Sequence, residues 1–148
     1  MPATDTPRAI RTQAIRLLAR REHSRRELSR KLSGAEPQVI TAVLDQLQAE
    51  GLLSDQRFAE QMVHQRAQKG QGPLRIQADL TARGVDNTII ATALDTANID
   101  WAEQLVTVAT RKQQGASCDR PAQAKLGRFL LTRGFPESMV RRYLQQLR

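Results

Sequence analysis

Apolar positions in this chain recur at helical spacing, and one quartet of them returns every 50 residues. Ile40, Val43, Leu44 and Leu47 reappear as Ile90, Ala93, Leu94 and Ala97, then as Val140, Tyr143, Leu144 and Leu147. Each quartet is spaced i, i+3, i+4, i+7, which places its four side chains on one face of an α-helix. A second pair follows suit: Leu28 and Leu32 match Ile76 and Leu80, then Leu126 and Leu130. A third set, Ala14 and Leu18, Met62 and Arg66, Leu105 and Ala109, is the weakest correspondence. Repetition at this period is the mark of stacked helical units that bury a shared core and leave a long surface for a partner.

Punctuation between the apolar runs agrees with helices throughout. Pro7, Pro37, Pro73, Pro121 and Pro136 stand where a first helical position is expected, since proline lacks only an N–H that such a position leaves unused. Ser24-Arg25-Arg26-Glu27 reads as a capping box, Asp100-Trp101-Ala102-Glu103 has the same geometry, and Asp55 and Asp86 are further candidate caps. Gly51, Gly70, Gly84, Gly115 and Gly134 each follow a periodic stretch as C-terminal stops. The spacing predicts helices over 8–21, 25–33, 37–50, 56–69, 73–83, 87–97, 101–114, 121–133 and 136–147. No stretch alternates apolar and polar long enough for a sheet. The expected class is all-α: three tandem three-helix repeats, 8–53, 54–98 and 99–148, packed into an elongated, curved array. The first seven residues are expected to be disordered.

Composition sharpens this picture. Hydrophobic residues make up 40% of the 148 and aromatics only 3%. The core must therefore come from Leu, Ile, Val and Ala, and units this small should lean on one another. No apolar run approaches the length that spans a bilayer, and the opening MPATDTPRAIR lacks a signal-peptide hydrophobic region. Cys118 is the single cysteine, so an internal disulfide is excluded. These features predict a cytoplasmic protein, expected to be monomeric.

Charge divides the chain unevenly. Residues 1–53 hold nine Lys/Arg against six Asp/Glu, residues 54–98 five against five, and residues 99–148 nine against four, for a net +8. Excess positive charge favours polyanions or an acidic protein face. The densest cluster is Arg20, Arg21, Arg25, Arg26, Arg30 and Lys31, across the start of the second helix. Helix N-termini attract anions, and arginines there would add charge-assisted contacts. A solvated helix face with Arg26 and Arg30 turned to water accounts for the same residues. Arg66, Lys69 and Arg75 in the second repeat, and Lys125, Arg128, Arg133, Arg141 and Arg142 in the third, complete the candidate basic face for a protein partner or DNA.

Other chemistry finds little support. The third helix of the first repeat would be the reader of a helix-turn-helix, but no Lys or Arg lies between Leu32 and Gln56. The corresponding helix of the last repeat, with Arg141, Arg142 and Arg148, is a better electrostatic surface. Lys69-Gly70-Gln71-Gly72-Pro73 lacks the GxxxxGK[ST] pattern and preceding strand of a phosphate loop, so it reads as a helix break. His23 and His64 have no Cys partner nearby, and Asp79, Asp86 and Asp95 form no acid-base pair. No catalytic constellation, metal site or cofactor is expected. Phe58, Phe129 and Tyr143 fall on apolar stripes and read as core; Trp101 and Phe135 sit beside caps, where a hydrophobic staple or an exposed stacking ring would both fit.

Arg20 through Leu28, Lys31-Leu32, Glu50-Gly51-Leu52-Leu53-Ser54-Asp55-Gln56-Arg57-Phe58-Ala59, and Arg66 with Gly70 and Gly72 together resemble the signature of the bacterial RecX regulators. Gly134-Phe135 after Arg133 fits that family's third repeat, and the resemblance spans essentially the chain from Arg8. Ser54 departs from the acidic or amide residue common there, a change compatible with capping. The resemblance implies a non-enzymatic modulator that binds the RecA–DNA filament, inhibits RecA ATP turnover and strand exchange, and in some members touches single- or double-stranded DNA. An autonomous nucleic-acid-binding module is the alternative.

Overall fold

In the computed structural model, residues 7–115 and 119–147 are described. The expected disorder before Pro7, the thiol of Cys118 and the side chain of Arg148 lie outside the described residues. Nine α-helices and no strand occur among the described residues: α1 Pro7–Arg20, α2 Arg25–Lys31, α3 Pro37–Ala49, α4 Asp55–Gln68, α5 Pro73–Ala82, α6 Asn87–Thr96, α7 Trp101–Gln113, α8 Arg120–Arg133 and α9 Glu137–Gln146. Every end lies within two residues of its position predicted from sequence. Pro7 opens α1, so this residue is helical where disorder was expected.

The caps explain the boundaries. The Ser24 hydroxyl accepts from the Glu27 N–H at 3.1 Å while the Glu27 carboxylate accepts from the Ser24 N–H at 3.2 Å, a complete capping box. Asp100 accepts from the Glu103 N–H and Asp86 from the Thr88 N–H. Three assignments change. Asp55 does not cap α4: the Ser54 hydroxyl takes the Arg57 N–H at 3.1 Å, and Asp55 is the first helical residue. Pro136 stands at the residue before α9, without a side-chain cap, rather than opening it, and Pro121 is second in α8, because Asp119 caps that helix through the Ala122 N–H. Gly51, Gly70, Gly84, Gly115 and Gly134 all carry positive φ, as stops should.

The fold comprises two compact units. One takes the chain up to Gln61 together with Leu80–Ala91; the other takes Met62–Asp79 with the chain from Thr92 onward. In the first, α1, α2 and α3 enclose Ile10, Ala14, Leu28, Leu32, Val43, Leu44, Leu47 and Leu53. In the second, α7, α8 and α9 enclose Leu105, Ala109, Leu126, Leu130, Phe135 and Val140. Burial follows the repeating quartets: Val43, Leu44, Leu47, Ile90, Ala93 and Val140 are buried, and the remaining six are half-buried. Leu28, Leu32, Ile76, Leu80, Leu126 and Leu130 are all buried. The weak third correspondence holds in part. Ala14, Met62, Leu105 and Ala109 are buried, with Phe58, Ala59, Val63 and Ala67 buried beside Met62 on α4, whereas Leu18 is half-buried and Arg66 is half-buried in an ion pair. Phe135 is a core residue at 1% exposure, so it is not a stacking surface; it precedes the cap of α9 and shares a core cluster with Val140 four positions into that helix, as a hydrophobic staple does.

In the second unit the chain before α5 is fastened to the turn between α8 and α9 by main chain alone. The Gly72 N–H donates to the Arg133 carbonyl at 2.7 Å, and the Leu74 N–H to the Gly134 carbonyl at 2.9 Å. A Cβ on Gly72 would stand 2.5 Å from the Gly134 carbonyl. Gly51, with φ +78°, has nothing within 4 Å of an added Cβ. The two glycines therefore separate steric clash from backbone strain. Gly72→Ala is expected to cost about 3 kcal/mol by forcing backbone apart, and Gly51→Ala about 1 kcal/mol of left-handed strain. Urea unfolding midpoints of the two variants check the order.

Candidate partner-binding surfaces

The six cations between Arg20 and Lys31 do not form one open cluster. Glu27 accepts from Arg21 at 3.3 Å and lies 3.5 Å from Arg83. Arg57 donates to Glu22 at 2.8 Å, and Arg11 to Glu50 at 2.7 Å. Arg25 pairs with Asp45 at 2.8 Å and also bonds Gln48. Its own N–H, in the first turn of α2, donates to Asp55 at 2.7 Å. Asp55 and Glu27 therefore already supply the negative charge that the α2 N-terminus attracts. The expectation of an anion site at that terminus meets carboxylates from the same chain. Arg20, Arg26 and Arg30 remain exposed, with no ion pair found for them among the described residues. The Arg26 stem lies over Gly84, where a Cβ would come within 2.8 Å of the Arg26 Cβ.

His23 anchors this corner from beneath. At 2% exposure its Nδ1 sits 3.0 Å from the Arg21 carbonyl and its Nε2 3.2 Å from the Lys31 ammonium. Since the ammonium can only donate, the ring is neutral with its proton on Nδ1. The neighbouring Ser24 hydroxyl donates to the Arg83 carbonyl at 2.8 Å. Burial holds the His23 pKa below its usual value, and the nearby Arg21 and Lys31 charges add to this against the hydrogen bond from its Nδ1–H. Glu27 is pushed up by burial, but its bonds to Arg21 and Ser24 outweigh this and leave it below the ordinary range.

The second unit treats its cations differently. Arg66 is structural: it pairs with Asp79 at 2.8 Å and bonds Gln71. Arg75 lies against Gly134. Lys125 and Arg128 project from α8 into solvent, and Arg141 pairs with Glu137 on an exposed face of α9. Arg142 borders an apolar groove between α7 and α9 whose floor includes Leu105, Val106, Met139 and Tyr143.

Lys69 and Arg133 converge with two residues absent from the predicted set, Arg111 and Lys112, around Phe129. The Lys112 ammonium stands 4.8 Å and the Arg133 guanidinium 5.2 Å from the centre of the Phe129 ring. Arg133 also donates to the Lys69 carbonyl at 3.3 Å. Contacts of cations with a ring contribute about 0.5–1 kcal/mol each near a surface. They hold the cations without neutralising them. Phe129 is thus only partly core, and half-buried among charges. Periodicity assigns it inward, while the flanking Arg111 and Lys112 at the end of α7 were legible only as a basic last turn.

Comparison with known proteins shows the family. Residues 11–47 match the RecX first three-helix domain and residues 54–94 the RecX second three-helix domain. Over 143 residues the chain is 48% identical to the regulatory protein RecX of Pseudomonas savastanoi pv. phaseolicola, spanning 95% of this chain and 92% of that one. The chain belongs to the RecX family.

A second relative, the regulatory protein RecX of Pseudomonas syringae pv. tomato, is 47% identical over 148 residues, covering 97% of this chain and 96% of its own. The crystal structure of RecX from Lactobacillus salivarius superposes with a TM-score of 0.82 at 25% identity, over 95% of this chain and 96% of that one. Another RecX crystal structure shares the fold, with a TM-score of 0.76 at 20% identity, over 95% of this chain and 73% of that one. RecX membership makes the chain a regulatory protein by family. No helix among the described residues is long and apolar enough to cross a membrane.

The RecX corner around His23 has a definite pH response. Its folded pKa lies below 6.5, so as pH falls the unfolded chain takes up the proton first. The stabilisation is complete above 6.5 and is lost as pH falls through that value toward the folded pKa. Glu27 acts in the same direction at lower pH, its contribution being present above 4.5 and lost below. Stability of the wild type should therefore drop as pH falls below 6.5, with a shallower slope for His23→Gln. Urea midpoints measured at half-unit pH steps test this; parallel profiles would refute it.

Proposed function

We propose that this chain is a non-enzymatic regulator that binds the RecA–DNA filament in the cytoplasm and inhibits RecA ATP turnover and strand exchange. Close kinship along nearly the whole chain with regulatory RecX proteins carries the reading. The working units are three repeats, 8–53, 54–98 and 99–148; their helices fall three to each span. The first and third supply the basic contacts and the near-neutral second acts as spacer. Among the cations around α2, Arg20, Arg26 and Arg30 are those that a partner can reach without breaking an internal ion pair.

Nucleic-acid binding by the chain alone is the second reading, and the exposed cations Lys125 and Arg128 on α8 favour it. Binding driven by phosphate weakens steeply with salt, whereas inhibition through RecA should persist at salt where the protein alone no longer holds DNA. Steady-state RecA ATPase on single-stranded DNA, with substoichiometric protein, separates them. Turnover should fall as protein is added, and unchanged turnover at low salt removes the leading reading. The combined Arg20→Glu, Arg26→Glu and Arg30→Glu variant should weaken inhibition about tenfold or more, with unfolding midpoints near wild type because no internal pair is lost. Reversal at Asp45 and Glu50 should weaken inhibition less, while lowering stability through Arg25 and Arg11.

A further inference from the structure

The charge arrangement around Phe129 is not explained by folding. Elsewhere in the structure many arginines meet carboxylates: Arg11, Arg21, Arg25, Arg57, Arg66 and Arg83 all do so. The concavity of about 300 Å³ between the end of α7, α8 and the loop after α4 is lined by Lys69, Arg111, Lys112 and Arg133, and no Asp or Glu is among its described lining. Four like charges gathered in one hollow repel one another, and among the described residues no carboxylate forms an ion pair with them. The ring of Phe129 orients Lys112 and Arg133 by its quadrupole and leaves their charge unspent. Arg133 is further fixed by the Lys69 carbonyl, with Gly70 forming part of the wall. The result is a preorganised anion receptor with a half-buried aromatic support.

We propose that this pocket binds the polyphosphate chain of a free nucleoside triphosphate. A compact triphosphate presents several negative charges to the four cations at once, and guanidinium groups grip phosphate oxygens in pairs. A phosphodiester strand would place a single charge per nucleotide in a hollow of this size and leave most of the cluster uncompensated. The site lies wholly within the second unit and needs no contact with a recombinase, so it stands apart from the regulatory reading above.

Isothermal titration of the full chain with ATP, inorganic tripolyphosphate and a short oligothymidylate tests the proposal. ATP and tripolyphosphate should bind at one site, with affinity reduced about tenfold or more in Arg111→Gln/Lys112→Gln. Phe129→Leu keeps the apolar bulk but removes the ring's attraction, and should weaken binding several-fold. Arg26→Gln/Arg30→Gln should leave it unchanged. Thermal unfolding of each variant without ligand separates loss of the site from loss of the fold: a variant that melts early is replaced by the single Lys112→Gln, which should still weaken binding several-fold. Absence of triphosphate binding would overturn the proposal, as would equal binding by wild type and the double variant. Oligothymidylate binding lost through the same substitutions while triphosphate fails to bind would also overturn it and assign the pocket to nucleic-acid backbone.

Discussion

The start of α2 governs the first unit because two carboxylates close it. Glu27 and Ser24 satisfy each other's backbone N–H groups, and Asp55, distant in sequence, takes the Arg25 N–H. Ser24 also reaches the Arg83 carbonyl, so one turn of seven-residue α2 binds segments from three parts of the chain. A helix this short is marginal by itself. Its ends are held by bonds from outside, with Leu28 buried beneath as the apolar anchor. His23 and Lys31 complete the arrangement, and their contact exists only while the imidazole stays neutral.

Sealing that terminus sorts the cations by role. Arg21, Arg25, Arg57 and Arg83 are engaged in fixing the first unit, while Arg20, Arg26 and Arg30 are free to meet another molecule. A surface ion pair contributes little by itself, roughly 0–1 kcal/mol. Several sharing Glu27 and its neighbours act as a set of restraints on a small core that has few large side chains. Charge count along a sequence does not separate these roles, since Arg25 and Arg26 are adjacent and do opposite things. The second unit reaches the same end by another route, through an aromatic ring that holds cations without consuming their charge.

Helix positions were legible in the sequence because each rests on local chemistry: proline at entry, glycine at exit, and an apolar stripe of fixed period. The quartets at Ile40, Ile90 and Val140 pointed inward as their spacing required. What escaped was non-local. Asp55 looks like a cap because it precedes an amphipathic run, but Ser54 was one residue better placed, which freed Asp55 for Arg25. Met62 and Arg66 were matched by offset; Met62 is buried as that match required, but Arg66 gives its charge to Asp79 instead of joining the apolar face. Phe129 shows the same limit. Its period says core, but only the meeting of α7, α8 and the loop at Lys69 reveals that the ring also carries two cations.

The link between Gly72 and the α8–α9 turn is built from peptide groups, with glycine on both sides. Side chains elsewhere in these segments can drift without touching it, because no side-chain atom takes part. The amide hydrogens of Gly72 and Leu74 lie ahead of or at the very beginning of α5, where helices leave N–H groups unclaimed. Here both are already donated. The segment should therefore exchange with deuterated solvent as slowly as a helix interior, marking a stretch of apparent loop that opens only when α8 and α9 come apart.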